Sequence, residues 1–128
     1  MAIDREYQIY KDIALYMKMQ YPNVLYHFDP TGLNLSKTQS GMLKAIQGGR
    51  GWPDLFIAQQ SFQGEYKGLF IEVKAEGTKL FKKNGEPIDI HISEQLECGK
   101  RLRARGYQSA ICVGWDECKR VIDQYLKP

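Results

Sequence analysis

The sequence predicts an α/β or α+β fold in which helices pack a mixed sheet, and three observations carry that expectation. Apolar residues recur at helical spacing near the start of the chain. Two short runs rich in branched and aromatic residues face each other across a polar turn, and the elements follow in the order α, α, β, β, α, β, α. At 128 residues and 43% hydrophobic content, the chain suffices for one domain, residues 1–128, and is short for two.

In the first element Ile3, Tyr7, Tyr10, Ala14 and Met17 recur three and four residues apart, Ile9, Ile13 and Tyr16 widen the stripe, and Pro22 ends the helix. "YHFDPTGLNLS" then carries turn signals at Asp29-Pro30 and Gly32. Ser36, with Gln39 three residues on, is a capping box for a short helix reaching Ile46, and "QGGRG", Gln47 to Gly51, breaks that helix. A strand from Pro53 to Gln60, a turn over "SFQGEYKG" and a returning strand from Leu69 to Ala75 make a hairpin. The polar stretch "EGTKLFKKNGEPIDIH" is expected to be a mobile loop with a turn at Asn84-Gly85. Ser93 is expected to cap a helix running to about Arg105, followed by Gly106. "YQSAICVGW" reads as a buried strand, and Asp116 to Leu126 as a closing helix.

Eighteen Lys and Arg against 15 Asp and Glu give a net charge of +3, which permits an anionic partner without requiring one. No apolar run approaches the roughly 20 residues of a membrane span, and "MAIDREYQ" lacks the basic-then-apolar layout of a signal peptide, so a soluble, cytoplasmic protein is expected. Cys98, Cys112 and Cys118 form an odd set without CxxC spacing, which reads as reduced structural cysteines rather than a disulfide framework or zinc site.

The stretch "GLFIEVKAEG" holds the chemistry. Alternation sends Leu69, Ile71 and Val73 to one face of the strand and Phe70, Glu72 and Lys74 to the other. Symmetry about the turn makes Asp54 a near-opposite neighbour of Glu72. Two carboxylates about 4 Å apart repel by roughly 4 kcal/mol at an effective dielectric near 20, so a fold that keeps such a pair needs a cation. Oxygen-only ligands favour a hard divalent ion, Mg²⁺ or Mn²⁺. Lys74 on the same face is suited to neutralise charge developing on a phosphoryl group, and the set suits phosphodiester hydrolysis.

"GWPDLFIA", then "LFIEVKAEG", then "SEQLECGKRLRARGYQSAICVGW" resemble the PD-(D/E)XK nuclease superfamily and, within it, the VRR-NUC family with its stand-alone bacteriophage members. The resemblance spans nearly the whole chain and implies a restriction-endonuclease-like mixed central sheet flanked by helices. It implies a metal set of Glu6, Asp54, Glu72 and the Val73 carbonyl, with Lys74 catalytic and Gln95, in the first turn of its helix, contacting the site or holding Lys74. It further implies a homodimeric endonuclease for branched DNA, four-way junctions in particular. Flap and restriction-type nucleases are alternatives within the class, and a non-catalytic nucleic-acid-binding module or an adaptor domain with a surface ion pair are alternatives outside it.

Glu6 lies on the apolar stripe of the first helix, three, four and seven residues before Ile9, Tyr10 and Ile13, which turns it towards the sheet. Lys44, Arg50, Lys100, Arg101 and Arg103 are the candidate phosphate contacts, although the "KRLRAR" run also reads as a solvated face. His27 and His91 read as surface histidines, with His91 close enough to its helix start to approach the cleft. Trp52 and Tyr107 read mostly as packing residues, with Trp52 also placed to stack on a base or brace Asp54. The first helix, with "IALYMKMQY", offers spare apolar surface for a dimer contact.

Overall fold

The computed structural model describes residues 2–29 and 35–128, with residues 2–4 as backbone only. The turn signals at Pro30 and Gly32 and the side chain of Ile3 lie outside the described residues. Eight elements follow in the order α1 (Ala2–Gln20), β1 (Tyr26–Phe28), α2 (Lys37–Ile46), β2 (Leu55–Ile57), β3 (Leu69–Lys74), α3 (Ile90–Arg103), β4 (Gln108–Val113) and α4 (Trp115–Leu126).

The strands lie side by side in the order β1-β2-β3-β4, with β1/β2 and β2/β3 antiparallel and β3/β4 parallel. The sheet is therefore mixed, as the expected restriction-endonuclease-like architecture requires. Leu55 pairs with Ile71 and Ile57 with Leu69, and the same register carried one step back sets Asp54 opposite Glu72. The parallel β3/β4 pair needs a crossover, and α3 supplies it. Its close approach rests on a side chain that is missing: a Cβ on Gly99 would come within 3.1 Å of the Ser109 hydroxyl on β4.

One face of β2 and β3 is fully apolar and buried: Leu55, Ile57, Leu69, Ile71 and Val73 pack with Ile9, Tyr10, Ile13 and Met17 of α1 and with Ile122 and Tyr125 of α4. Cys112 and Cys118 complete this core as free thiols, in keeping with the structural reading. On the opposite face the rings of Phe56 and Phe70 stack at 4.5 Å, and Trp52 and Tyr107 meet Phe70 edge-on at 6.0 and 5.5 Å.

Several sequence expectations need correction. β1 has no counterpart among the expected elements; with its three residues it is too short to show strand alternation, and only the pairing of Tyr26 with Ile57 and Phe28 with Leu55 makes it a strand. β2 is confined to Leu55–Ile57 rather than reaching from Pro53 to Gln60. The cap of α3 is Asp89, whose carboxylate accepts from the Ile92 amide at 2.9 Å, rather than Ser93. The helix thus begins four residues earlier, and Gln95 stands in its second turn. The segment between β3 and α3, expected as a loop, folds on itself as a small hairpin in which Phe81 pairs with Pro87, with the turn at Asn84-Gly85 in place. The capping box of α2 is as expected: Ser36 and Gln39 exchange bonds of 3.0 and 3.1 Å.

The C-terminal end of α1 is tied to α4 through Asp123, which accepts from the hydroxyls of Tyr16 and Tyr21 at 2.7 and 2.6 Å and pairs with Lys119 at 3.2 Å. Desolvation opposes the charge, but the two hydroxyls and Lys119 together hold the carboxyl below the ordinary aspartate range. A group whose folded pKa is depressed contributes stability above its unfolded pKa and loses it as pH falls through the folded one. Asp123→Ala should therefore cost about 2 kcal/mol at pH 7, because two partly buried hydroxyls lose their acceptor, and the cost should shrink under acid. Urea unfolding of both proteins at pH 7 and pH 3 measures it.

Candidate active site

The site lies where β2 begins and β3 ends, at the edge of the fully apolar core. Pro53 and Asp54 are buried there, and the Asp54 main chain is fixed by the Asp29 amide, which donates to its carbonyl at 2.7 Å. The Asp54 carboxylate accepts the Val73 amide at 2.7 Å, so β3 itself aims this side chain. Glu72 projects beside it with a side chain 8% exposed. Its Oε2 accepts from the Gln95 amide at 3.1 Å and pairs with the Lys74 ammonium at 3.4 Å. Asp54, Glu72, Lys74 and Gln95, four of the sequence candidates, thus meet at one point.

Burial and the neighbouring Asp54 charge push the Glu72 carboxyl up to about 9, with Lys74 pulling the other way. Burial likewise raises Asp54, against the Val73 amide and Lys74. Two carboxyls in one buried place cannot both ionise cheaply, so the pair holds a proton between them.

Glu6 borders the same cleft from α1. Burial raises its carboxyl, Lys74 lowers it and Asp54 raises it again, so it stands within the field of the site. It does not join Asp54 and Glu72 in a closed ligand cluster: among the described residues no three His, Cys, Asp or Glu side chains converge closely enough to hold a metal by themselves. One residue that sequence reasoning placed only in the core belongs to the site as well. Tyr10, one helical turn after Glu6, is 5% exposed, its ring stacks on Phe28 at 4.9 Å, and its hydroxyl faces Asp54. Its place on the apolar stripe hid it, although the i, i+4 spacing from Glu6 was a usable signal.

Whether these residues suit a divalent cation is answered by their unspent oxygens. Glu72 Oε1 and Gln95 Oε1 are buried and have no hydrogen-bonding partner among the described residues. Buried acceptors without donors are costly, and these two with the Asp54 carboxylate form a hard-oxygen donor set of the kind Mg²⁺ or Mn²⁺ takes. The residues fit the ion.

The cleft above this point is open, about 760 Å³, and its rim carries Lys44, Arg50, Trp52 and His91. Arg50 pairs with Glu94 at 3.6 Å while keeping a side chain 86% exposed. The glycine run beside it has a steric purpose: Gly51 has φ +78°, and a Cβ there would lie 2.8 Å from the Gln95 backbone nitrogen, so only glycine lets the PD segment sit against α3. The remaining basic candidates do not line the cleft. Lys100 and Arg101 are exposed near the far end of α3, and Arg103 donates to the Ser109 carbonyl at 3.0 Å, a bond that ties α3 to β4. Trp52 braces Phe70 and Tyr107 packs against it, His91 stands 4.0 Å from Glu94 on the rim, and His27 is exposed on β1.

Fold and site together define a restriction-endonuclease-like domain with a PD and ExK cleft. Its comparison with known proteins agrees: among solved structures it is similar to one described as a VRR_NUC domain protein, with 24% sequence identity, a TM-score of 0.68 and 94% of this chain matched to 87% of that one. The chain has the VRR-NUC fold. No family model matches the sequence, and no curated protein does. No helix among the described residues is long and apolar enough to cross a membrane.

The proton held by the carboxyl pair has a stability consequence. Glu72 keeps it in the folded chain and would release it above about pH 4.5 when unfolded. The folded state then binds more protons, so stability is fully present below that pH and falls as pH rises towards about 9, by at most about 1.4 kcal/mol per pH unit. Glu72→Gln should flatten this decline and be the more stable protein at pH 8 in EDTA. Urea unfolding from pH 5 to pH 9 is the check, and parallel curves for the two proteins would refute the shared proton.

Proposed function

We propose that this chain is a metal-dependent endonuclease that hydrolyses phosphodiester bonds in branched DNA, four-way junctions in particular, as a homodimer. The observation that carries the reading is the buried Asp54–Glu72 pair beside Lys74, with unpartnered oxygens on Glu72 and Gln95, at the floor of an open cleft with basic groups on its rim. The likeness in fold to a VRR_NUC domain protein supports it.

Asp54, Glu72, the Val73 carbonyl and the Gln95 amide oxygen would hold one or two Mg²⁺ or Mn²⁺ ions, with Glu6 acting from further out through water. When bound, such an ion polarises the phosphate and offsets charge at the displaced oxygen. The chain's own residues do the rest. The Val73 amide fixes the direction of Asp54, and Gln95 fixes that of Glu72. Lys74, held by Glu72, helps position or deprotonate the attacking water and stabilises the charge that builds on the phosphoryl oxygens. Lys44 and Arg50 hold flanking phosphates on one rim, while Lys100 and Arg101 serve only a longer substrate path.

A domain with one such cleft needs a second copy to cut two strands symmetrically. Leu15 and Met19, one turn apart on α1 and 60% and 68% exposed, supply apolar surface for that contact. Recognition is by branch shape, since phosphate contacts carry no sequence information.

Labelled four-way junction, flap, duplex and single-stranded DNA, incubated with Mg²⁺, Mn²⁺ or EDTA, test the reading. Paired symmetric nicks on the junction are expected, absent in EDTA and reduced about a hundredfold or more in Lys74→Ala with binding retained. Mg²⁺ should also raise the melting temperature of wild type and not of Asp54→Asn. A wild type that is folded and metal-responsive yet cuts nothing sinks the enzymatic reading.

Tyr10 supplies a separate check on positioning. Tyr10→Phe keeps the ring stacked on Phe28 and removes only the hydroxyl that faces Asp54, so stability should change by less than about 1 kcal/mol. Turnover should fall about tenfold at unchanged KM, because Asp54 loses a neighbour that orients it. Steady-state kinetics beside urea unfolding separate the two effects.

A further inference from the structure

The segment that joins β3 to α3 is an arm rooted at the site. It leaves Lys74 through a turn in which Thr78 donates to the Ala75 carbonyl at 2.7 Å, and it returns into His91, Glu94 and Gln95 on the cleft wall. Between these roots it is an ordered hairpin: Lys82 and Ile88 donate from their amides to Glu86 and Leu80, each at 2.8 Å, and Gly85 takes the turn at φ +88°. Nothing in the core explains its composition, since Phe81, Ile88 and Ile90 are 48%, 37% and 67% exposed.

Lys79 and Lys83 lie two residues to either side of Phe81, all three are exposed, and Pro87 stands directly across from Phe81. Lys83 enters the turn that the Gly85 amide closes on the Lys82 carbonyl. Glu86 stands across from Lys82, and Asp89 is spent capping α3. An exposed aromatic ring between two free lysines matches the chemistry of a nucleic-acid strand, with a ring for a base and an ammonium for the phosphate on each side.

We propose that Lys79, Phe81 and Lys83 of this arm form a nucleic-acid contact, holding an unpaired or splayed strand beside the cleft. The inference rests on the reading that the cleft acts on nucleic acid. It assigns the arm a task distinct from cutting: Phe81 stacks on a base and so favours substrates with an open strand, while the lysines supply charge.

Binding is read by fluorescence anisotropy in EDTA, so that no cleavage is needed, with labelled four-way junction, duplex and single-stranded oligonucleotides. Lys79→Ala/Lys83→Ala should reduce the slope of log affinity against log salt by about 0.7 per lysine on the single strand, and Lys82→Ala should leave it near wild type. Phe81→Ala should weaken junction and single-strand binding about tenfold with the slope unchanged, and duplex binding much less. All these positions are exposed, and circular dichroism checks that each variant folds. Wild-type affinity in the Phe81 and double-lysine variants overturns the proposal, as does a wild type that binds no nucleic acid. Unchanged binding with a shift from dimer to monomer in light scattering would assign the arm to contact between copies instead. Arm-dependent binding without any cleavage in Mg²⁺ or Mn²⁺ would keep the arm and remove the nuclease.

Discussion

Two carboxyl groups buried against each other are the constraint on which the rest of this structure depends. Asp54 and Glu72 stand together because β2 and β3 pair in the register that sets Leu55 on Ile71. A slip of one residue would turn Glu72 into the apolar core and Ile71 out of it. The fully buried Leu55, Ile57, Leu69, Ile71 and Val73 forbid that slip, so the core fixes the register and the register fixes the pair. The arrangement stores an electrostatic cost that a proton relieves, and the unsatisfied oxygens of Glu72 and Gln95 stand beside it, where the proposed cation would relieve it further.

The neighbours of the pair share a division of labour. Main-chain groups aim Asp54, a helix-borne amide and an ammonium aim Glu72, and Tyr10 and Glu6 close the site from α1. Three elements distant in sequence must therefore dock before the site exists. The joints that hold them are made where side chains are missing or spent on backbone: Gly51 against Glu94 and Gln95, Gly99 against Ser109, and Arg103 on the Ser109 carbonyl.

The parts of this fold that were legible in the sequence are those whose cause is local. Alternation in "LFIEVK" placed Glu72 and Lys74 correctly, the symmetry of the hairpin placed Asp54 opposite Glu72, and the capping box of α2 needed only Ser36 and Gln39. What was missed depends on partners that a local window does not contain. β1 exists because β2 offers it an edge, and Asp89 rather than Ser93 caps α3 because the returning arm delivers Asp89 in an extended conformation. Tyr10 read as one more apolar residue on a stripe, since its hydroxyl acquires meaning only once Asp54 is beside it. Arg103 counted as one of several surface cations, and only the crossover shows that its charge is turned to a carbonyl of β4.

The placement of charge completes the picture of how such a cleft would choose its substrate. A net charge of +3 is too small for the whole surface to gather nucleic acid indiscriminately. The basic groups stand instead in separate places, Lys44 and Arg50 on the cleft rim beside the glycine run and Lys79 and Lys83 on the arm. A straight duplex presents its phosphates as a continuous cylinder and gains little from two separated pairs of charges. On the proposed reading, a substrate whose strands diverge would reach both pairs at once while presenting the phosphate at the divergence to Lys74. Selectivity for shape would then follow from where a few charges stand rather than from how many there are.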